Sequence, residues 1–202
     1  MTGNALQIIY RVMIKRISKG FSAEELSFLI GREQNYIAAI ETCKAAVYTD
    51  EELRLIAIAL NESNIRSFYP QLSSAENVSV EMERQKKGNK IVHTCDIVTP
   101  EGYRQPFFNL EEDTLESSFE NGTGPEDKAI AYDAVDILLR SGYFFEAKLP
   151  YKVFQSINRF LESISISPFY IQLALDNYCE EVKENILMKV VDQDRRILYV
   201  ES

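Results

Sequence analysis

Leu6, Ile9, Met13 and Ile17, with Ile14 beside them, recur at steps of three and four along the first stretch of the chain. That period puts them on one face and predicts a helix from Ala5 to Ser18. Lys15, Arg16 and Lys19 gather near its end, where cations suit the helix dipole, and Gly20 suits a left-handed stop. Ser22-Ala23-Glu24-Glu25 reads as a capping box opening a short helix through Leu26, Leu29 and Ile30. Gly31 allows a tight turn before a third helix with Tyr36, Ile37 and Ile40 on one face. Thr49-Asp50-Glu51-Glu52 is a second capping box, ahead of Leu53, Ile56, Ala57 and Leu60, and Pro70 closes the region.

Beyond a connector at residues 71–77 the period falls to two. Val78, Val80 and Met82 alternate with polar residues. Lys87-Gly88-Asn89 marks a turn, and Ile91, His93, Cys95 and Ile97 form a second alternating run. After another turn at Thr99-Pro100-Glu101-Gly102, a third strand is expected over Tyr103 to Phe108. Such a meander is too small to stand alone and needs a covering element. Residues 109–127 hold seven acidic side chains and no basic one, and the stretch 109–126 reads as an acidic linker. The rest predicts three helices: one from Asp127 to Ser141, one starting at Pro150, and one starting at Ser167-Pro168. Strands over Ile186 to Val191 and Arg196 to Val200 flank a turn at Asp192-Gln193-Asp194. The fold class expected is therefore mainly α with a small β component. Its segments are 1–70, a β meander at 78–108, the linker, and a C-terminal domain at 127–202.

The chain has 202 residues, 46% hydrophobic and 26% charged, which excludes global disorder and a disulfide-rich miniprotein. No apolar run approaches the roughly 18 residues of a membrane span. Met1-Thr2-Gly3-Asn4 leads into a mixed pattern unlike a signal peptide, and the three cysteines are odd in number and far apart. The expectation is a cytoplasmic chain with reduced thiols. Net charge is −9, but residues 1–70 carry eight basic and eight acidic side chains, so the excess lies entirely beyond them. A neutral head on an acidic body is compatible with a DNA-binding module.

Two short helices joined by a turn of about three residues around a Gly form a helix-turn-helix arrangement. Gly20-Phe21-Ser22-Ala23-Glu24-Glu25-Leu26, Ile30-Gly31, Tyr36-Ile37-Ala38-Ala39-Ile40-Glu41 and Leu53-Arg54-Leu55-Ile56-Ala57-Ile58-Ala59-Leu60 follow in order. Over residues 8–69 the chain resembles the Cro/lambda-repressor-like, or XRE, helix-turn-helix family of bacterial regulators. The resemblance implies that the third helix enters the major groove, with Gln34 and Asn35 reading bases. Ala38 and Ala39 would meet thymine methyls, Arg32 and Lys44 phosphates, and the helix N-terminus at Ser22 and Ala23 the DNA backbone. It also implies that Arg16 and Glu41 form a partly buried structural ion pair. Three positions depart from the family pattern: Ala23 replaces a frequent Gln, Glu33 a Ser or Thr cap, and Cys43 a Gly. The C-terminal three helices and hairpin, with Leu138-Leu139-Arg140-Ser141-Gly142-Tyr143-Phe144, more weakly resemble a winged helix. Its candidate recognition helix, residues 168–181, carries Asp176, Glu180 and Glu181 without a cation. Protein contact or dimer formation is therefore the expectation there.

For chemistry there is one histidine. His93 and Cys95 share a strand face, and two semi-buried strand residues are the expectation rather than a nucleophile or zinc site. No phosphate-binding, dinucleotide, zinc-protease or nucleophile-elbow motif occurs. The expectations are a sequence-specific DNA-binding regulator, no enzyme activity and no cofactor. The partners expected are duplex DNA, a second copy in a homodimer and a protein bound through the C-terminal domain. The alternative is a non-catalytic interaction module on a helix-turn-helix scaffold that no longer reads DNA.

Overall fold

The structure is a computed structural model, and it describes residues 1–71, 76–114, 124–162, 164–180 and 186–202. It combines seven α-helices, a three-stranded antiparallel sheet and a two-stranded hairpin among the described residues. The chain divides into two compact units, and the dividing lines differ from the expected segments. The first unit takes Met1–Leu26 and the chain from Asn35 to the end of the meander. The second takes Ser27–Gln34 together with the C-terminal helices and hairpin.

In the first unit, α1 (Gly3–Ser18) is capped by Thr2, whose side chain accepts from the Ala5 amide. α2 (Ala23–Leu29) starts here, and α3 (Tyr36–Glu41) and α4 (Asp50–Ala59) follow. The Thr49–Glu52 capping box opens α4 as expected. A 3-10 turn at Ile65–Phe68 packs on α1 and α4, and α1 packs on α3. Leu6, Ile9, Val12, Met13, Ile37, Ile40, Leu53, Ile56 and Phe68 are buried, and their removal from water drives the assembly.

The meander consists of β1 (Ser79–Lys87), β2 (Lys90–Val98) and β3 (Arg104–Asp113), with β2 central. β3 runs five residues past the expected end. From Phe108, alternate residues Leu110, Glu112 and Thr114 turn inward while Asn109, Glu111 and Asp113 face solvent. Acidic composition concealed a strand whose parity is intact. The 109–126 linker is corrected accordingly: its first residues belong to β3, its last to a helix, and residues 115–123 lie outside the described residues. The sheet is covered by the helices of its own unit. Tyr10 of α1 stacks on Phe108 at 5.1 Å and lies 5.4 Å from Phe107.

In the second unit, α5 (Gly124–Arg140) packs on α7 (Pro168–Tyr178), and α6 (Pro150–Leu161) contacts both. Ser167 caps α7 through the Phe169 amide, and Pro residues open α6 and α7. β4 (Leu187–Val191) pairs with β5 (Ile197–Glu201), and Lys148 exchanges both backbone hydrogen bonds with Tyr199 of β5. The Gly31 carbonyl accepts from the Ile197 amide at 2.7 Å, and Phe28 meets the Tyr199 ring edge-on. These contacts explain why Ser27–Gln34 belongs with the hairpin.

Gly31 has φ +71, and a Cβ there would lie 2.8 Å from the Ile197 carbonyl oxygen and 3.1 Å from Leu149 Cδ2. Gly31→Ala is expected to cost about 1–3 kcal/mol, read as a lower midpoint in chemical denaturation.

Candidate nucleic-acid interface

The polar centre of the first unit is Arg16, which is fully buried. Its Nε and Nη2 donate to the two Glu41 carboxylate oxygens, both at 2.8 Å, a bidentate pair. Nη1 donates to the Phe21 carbonyl at 2.6 Å and also to Glu112. The other Glu112 oxygen lies 2.7 Å from His93 Nε2. The Arg16–Glu41 pair implied by the family resemblance is thus present, and Glu112 and His93 extend it into the sheet. Burial works against the Glu112 charge, but the His93 hydrogen bond and the Arg16 guanidinium outweigh it and bring its carboxyl down to about 2. Burial likewise opposes the Arg16 charge, and Glu41 with Glu112 more than compensate, holding the guanidinium ionised.

Around this centre the candidate DNA-contacting residues fare differently. In the first unit, Ser22 and Ala23 are buried. The Ser22 amide donates to a Glu25 carboxylate oxygen at 2.8 Å, and Ser22 Oγ accepts from the Glu25 amide at 3.0 Å. The capping box expected at Ser22 is thus formed, with the Glu25 carboxylate at the start of α2 beside Ser22 and Ala23. Asn35 is the cap residue of α3, where Glu33 was expected, and its side chain makes no capping hydrogen bond. Asn35 and Lys44 are exposed, and Ala38 and Ala39 are half-buried.

In the second unit, Gln34 is exposed and precedes Asn35 in the chain. Arg32 is half-buried. Its Nη1 donates to the carbonyls of Asp194 and Arg195, at 2.7 and 3.0 Å, in the turn between β4 and β5.

Glu112 was missed because it sits among acidic neighbours, yet its position in the alternation Phe108, Leu110, Glu112, Thr114 marked it as inward-facing. His93 and Cys95, expected to be semi-buried, are both buried on β2. The three cysteines are free. Among the described residues no group of three or more His, Cys, Asp and Glu side chains is placed to hold a metal ion. Nor is any helix among them long and apolar enough to cross a membrane. No family model, curated protein or solved structure matches this chain.

The buried cluster makes stability depend on pH in a defined direction. Glu112 ionises below the ordinary carboxylate value of 4.5, so its contribution is complete above that value and is lost as pH falls towards 2. Glu112→Gln is expected to cost about 3 kcal/mol at neutral pH, through the partly unpaired Arg16 charge it leaves. It should also flatten the loss of stability between those two pH values, as measured by denaturation across pH.

Proposed function

We propose that the chain is a cytoplasmic, non-enzymatic regulator whose first seventy residues bind duplex DNA in the manner of the XRE-type helix-turn-helix. α3 would face the major groove. The observation that carries this reading is the exposed Asn35 amide at the start of α3, uncommitted to capping and preceded by exposed Gln34. Side-chain amides of this kind can donate to and accept from adenine in the major groove. Half-buried Ala38 and Ala39 lie one turn on, where they would meet thymine methyls, and exposed Lys44 follows the helix. The Arg16–Glu41 pair supports the same family reading, since it clamps the end of α1 to the end of α3. The C-terminal helices and hairpin, in a winged-helix-like order, would supply dimerisation or a protein contact. A homodimer would give half-sites about one helical turn apart.

A second reading is favoured by a specific observation. Arg32 is spent on hairpin carbonyls, and Glu25 fills the start of α2. With net charge −9, few cations are left to neutralise phosphates. On that reading the scaffold binds protein instead.

Fluorescence anisotropy with labelled random duplex, titrated with salt, separates the two. DNA binding is expected to weaken steeply as salt rises, whereas the interaction module gives no binding at any salt. On a duplex selected from a random pool, Gln34→Ala combined with Asn35→Ala is expected to cost about 1–3 kcal/mol and relax sequence preference. Unchanged affinity and preference would remove α3 from the role given to it.

A further inference from the structure

Cys43 and Cys95 both neighbour Met82 in the first unit, one through a sulfur contact and the other through strand register. Cys43 follows α3 with φ +56, a left-handed backbone that a glycine adopts more cheaply by about 1 kcal/mol or more. The chain nevertheless places a thiol there, and its Sγ donates to Met82 Sδ of β1 at 2.9 Å. Met82 stands directly opposite Cys95 in the β1–β2 register, so the two side chains leave the sheet on the same face. Cys95 is fully buried, while Cys43 and Met82 are half-buried.

We propose that Cys43, Met82 and Cys95 form a binding site for a soft monovalent metal ion, Cu(I). Two thiolates and a thioether are the donor set that favours Cu(I) over harder cations. A structural zinc site takes four nitrogen, sulfur or oxygen donors, and no third His, Cys, Asp or Glu joins these cysteines among the described residues. Uptake forms two copper–thiolate bonds, passes the two thiol protons to solvent, and leaves one net negative charge shared among copper and the two sulfurs. The bound ion would tie the chain just after α3 to the first two strands.

The test is anaerobic titration of the reduced full chain with Cu(I) against a chromogenic Cu(I) chelator. One Cu(I) per chain is expected to be withdrawn from the chelator, with two protons released and a thiolate-to-copper ultraviolet absorption. Cys43→Gly is expected to abolish uptake while keeping or raising stability, because it relieves the left-handed backbone. Cys95→Ala is expected to abolish uptake, Met82→Leu to weaken it, and Cys179→Ser to leave it unchanged. Circular dichroism confirms that each variant is folded. The proposal is overturned if the wild-type chain takes no copper from the chelator, or if Cys43→Gly retains full uptake. It is equally overturned if Cys179→Ser is the variant that loses copper.

Discussion

The first unit depends on one guanidinium. Arg16 is removed from water entirely, and its charge is tolerable only because Glu41, Glu112 and the Phe21 carbonyl surround it with acceptors. Each acceptor comes from a different part of the chain: the end of α3, the end of β3 and the loop after α1. Satisfying Arg16 therefore sets the position of α3 and of the sheet in the same act. Removing one partner would strand a buried charge, an outcome costlier than never burying the pair. His93 adds a further constraint, since its Nε2 reaches the Glu112 oxygen facing away from Arg16. A bidentate pair, a shared carboxylate and a histidine thus hold helices and sheet in one register.

The same economy of polar groups shapes the surface proposed to meet DNA. Two of the polar side chains near it are engaged within the chain. Glu25 closes the start of α2, and Arg32 closes the turn between β4 and β5 by donating to its two carbonyls. That turn is also braced from within, where Asp192 accepts from the amides of Asp194 and Arg196 and pairs with the Arg196 side chain. What stays outward is short, with one acidic and one basic side chain: Glu33, Gln34, Asn35 and, past α3, Lys44. A surface of this kind reads shape and hydrogen-bond pattern better than it gathers phosphates. Any affinity for DNA would thus lean on base contacts and on a second copy rather than on charge.

Much of the local structure was legible in the chain itself. The capping boxes at Ser22 and Thr49 formed at those residues, because a hydroxyl three residues before a glutamate satisfies backbone amides without help from elsewhere. The alternation through β1 and β2 and the prolines opening α6 and α7 were equally local signals. Two boundaries were misjudged for opposite reasons. α3 begins after Asn35 rather than after Glu33, because the turn after Gly31 extends through Arg32 to Asn35. β3 runs on to Asp113 because pairing with β2 and the burial of Glu112 outweigh an acidic composition that by itself favours solvent.

Periodicity, capping and turn chemistry are properties of neighbouring residues, so the sequence alone determined the order and type of the elements. It also pointed to the Arg16–Glu41 pair, through resemblance. Only the tertiary structure decided what meets across long separations. It brought Glu112 to Arg16 across 96 positions, Cys43 to Met82 across 39, and Arg32 to Asp194 across 162. The physical reason is that these contacts are selected by the desolvation cost of the groups involved. A buried charge, thiol or guanidinium settles wherever the folded chain offers a partner, and nothing in its immediate neighbours encodes which partner that will be.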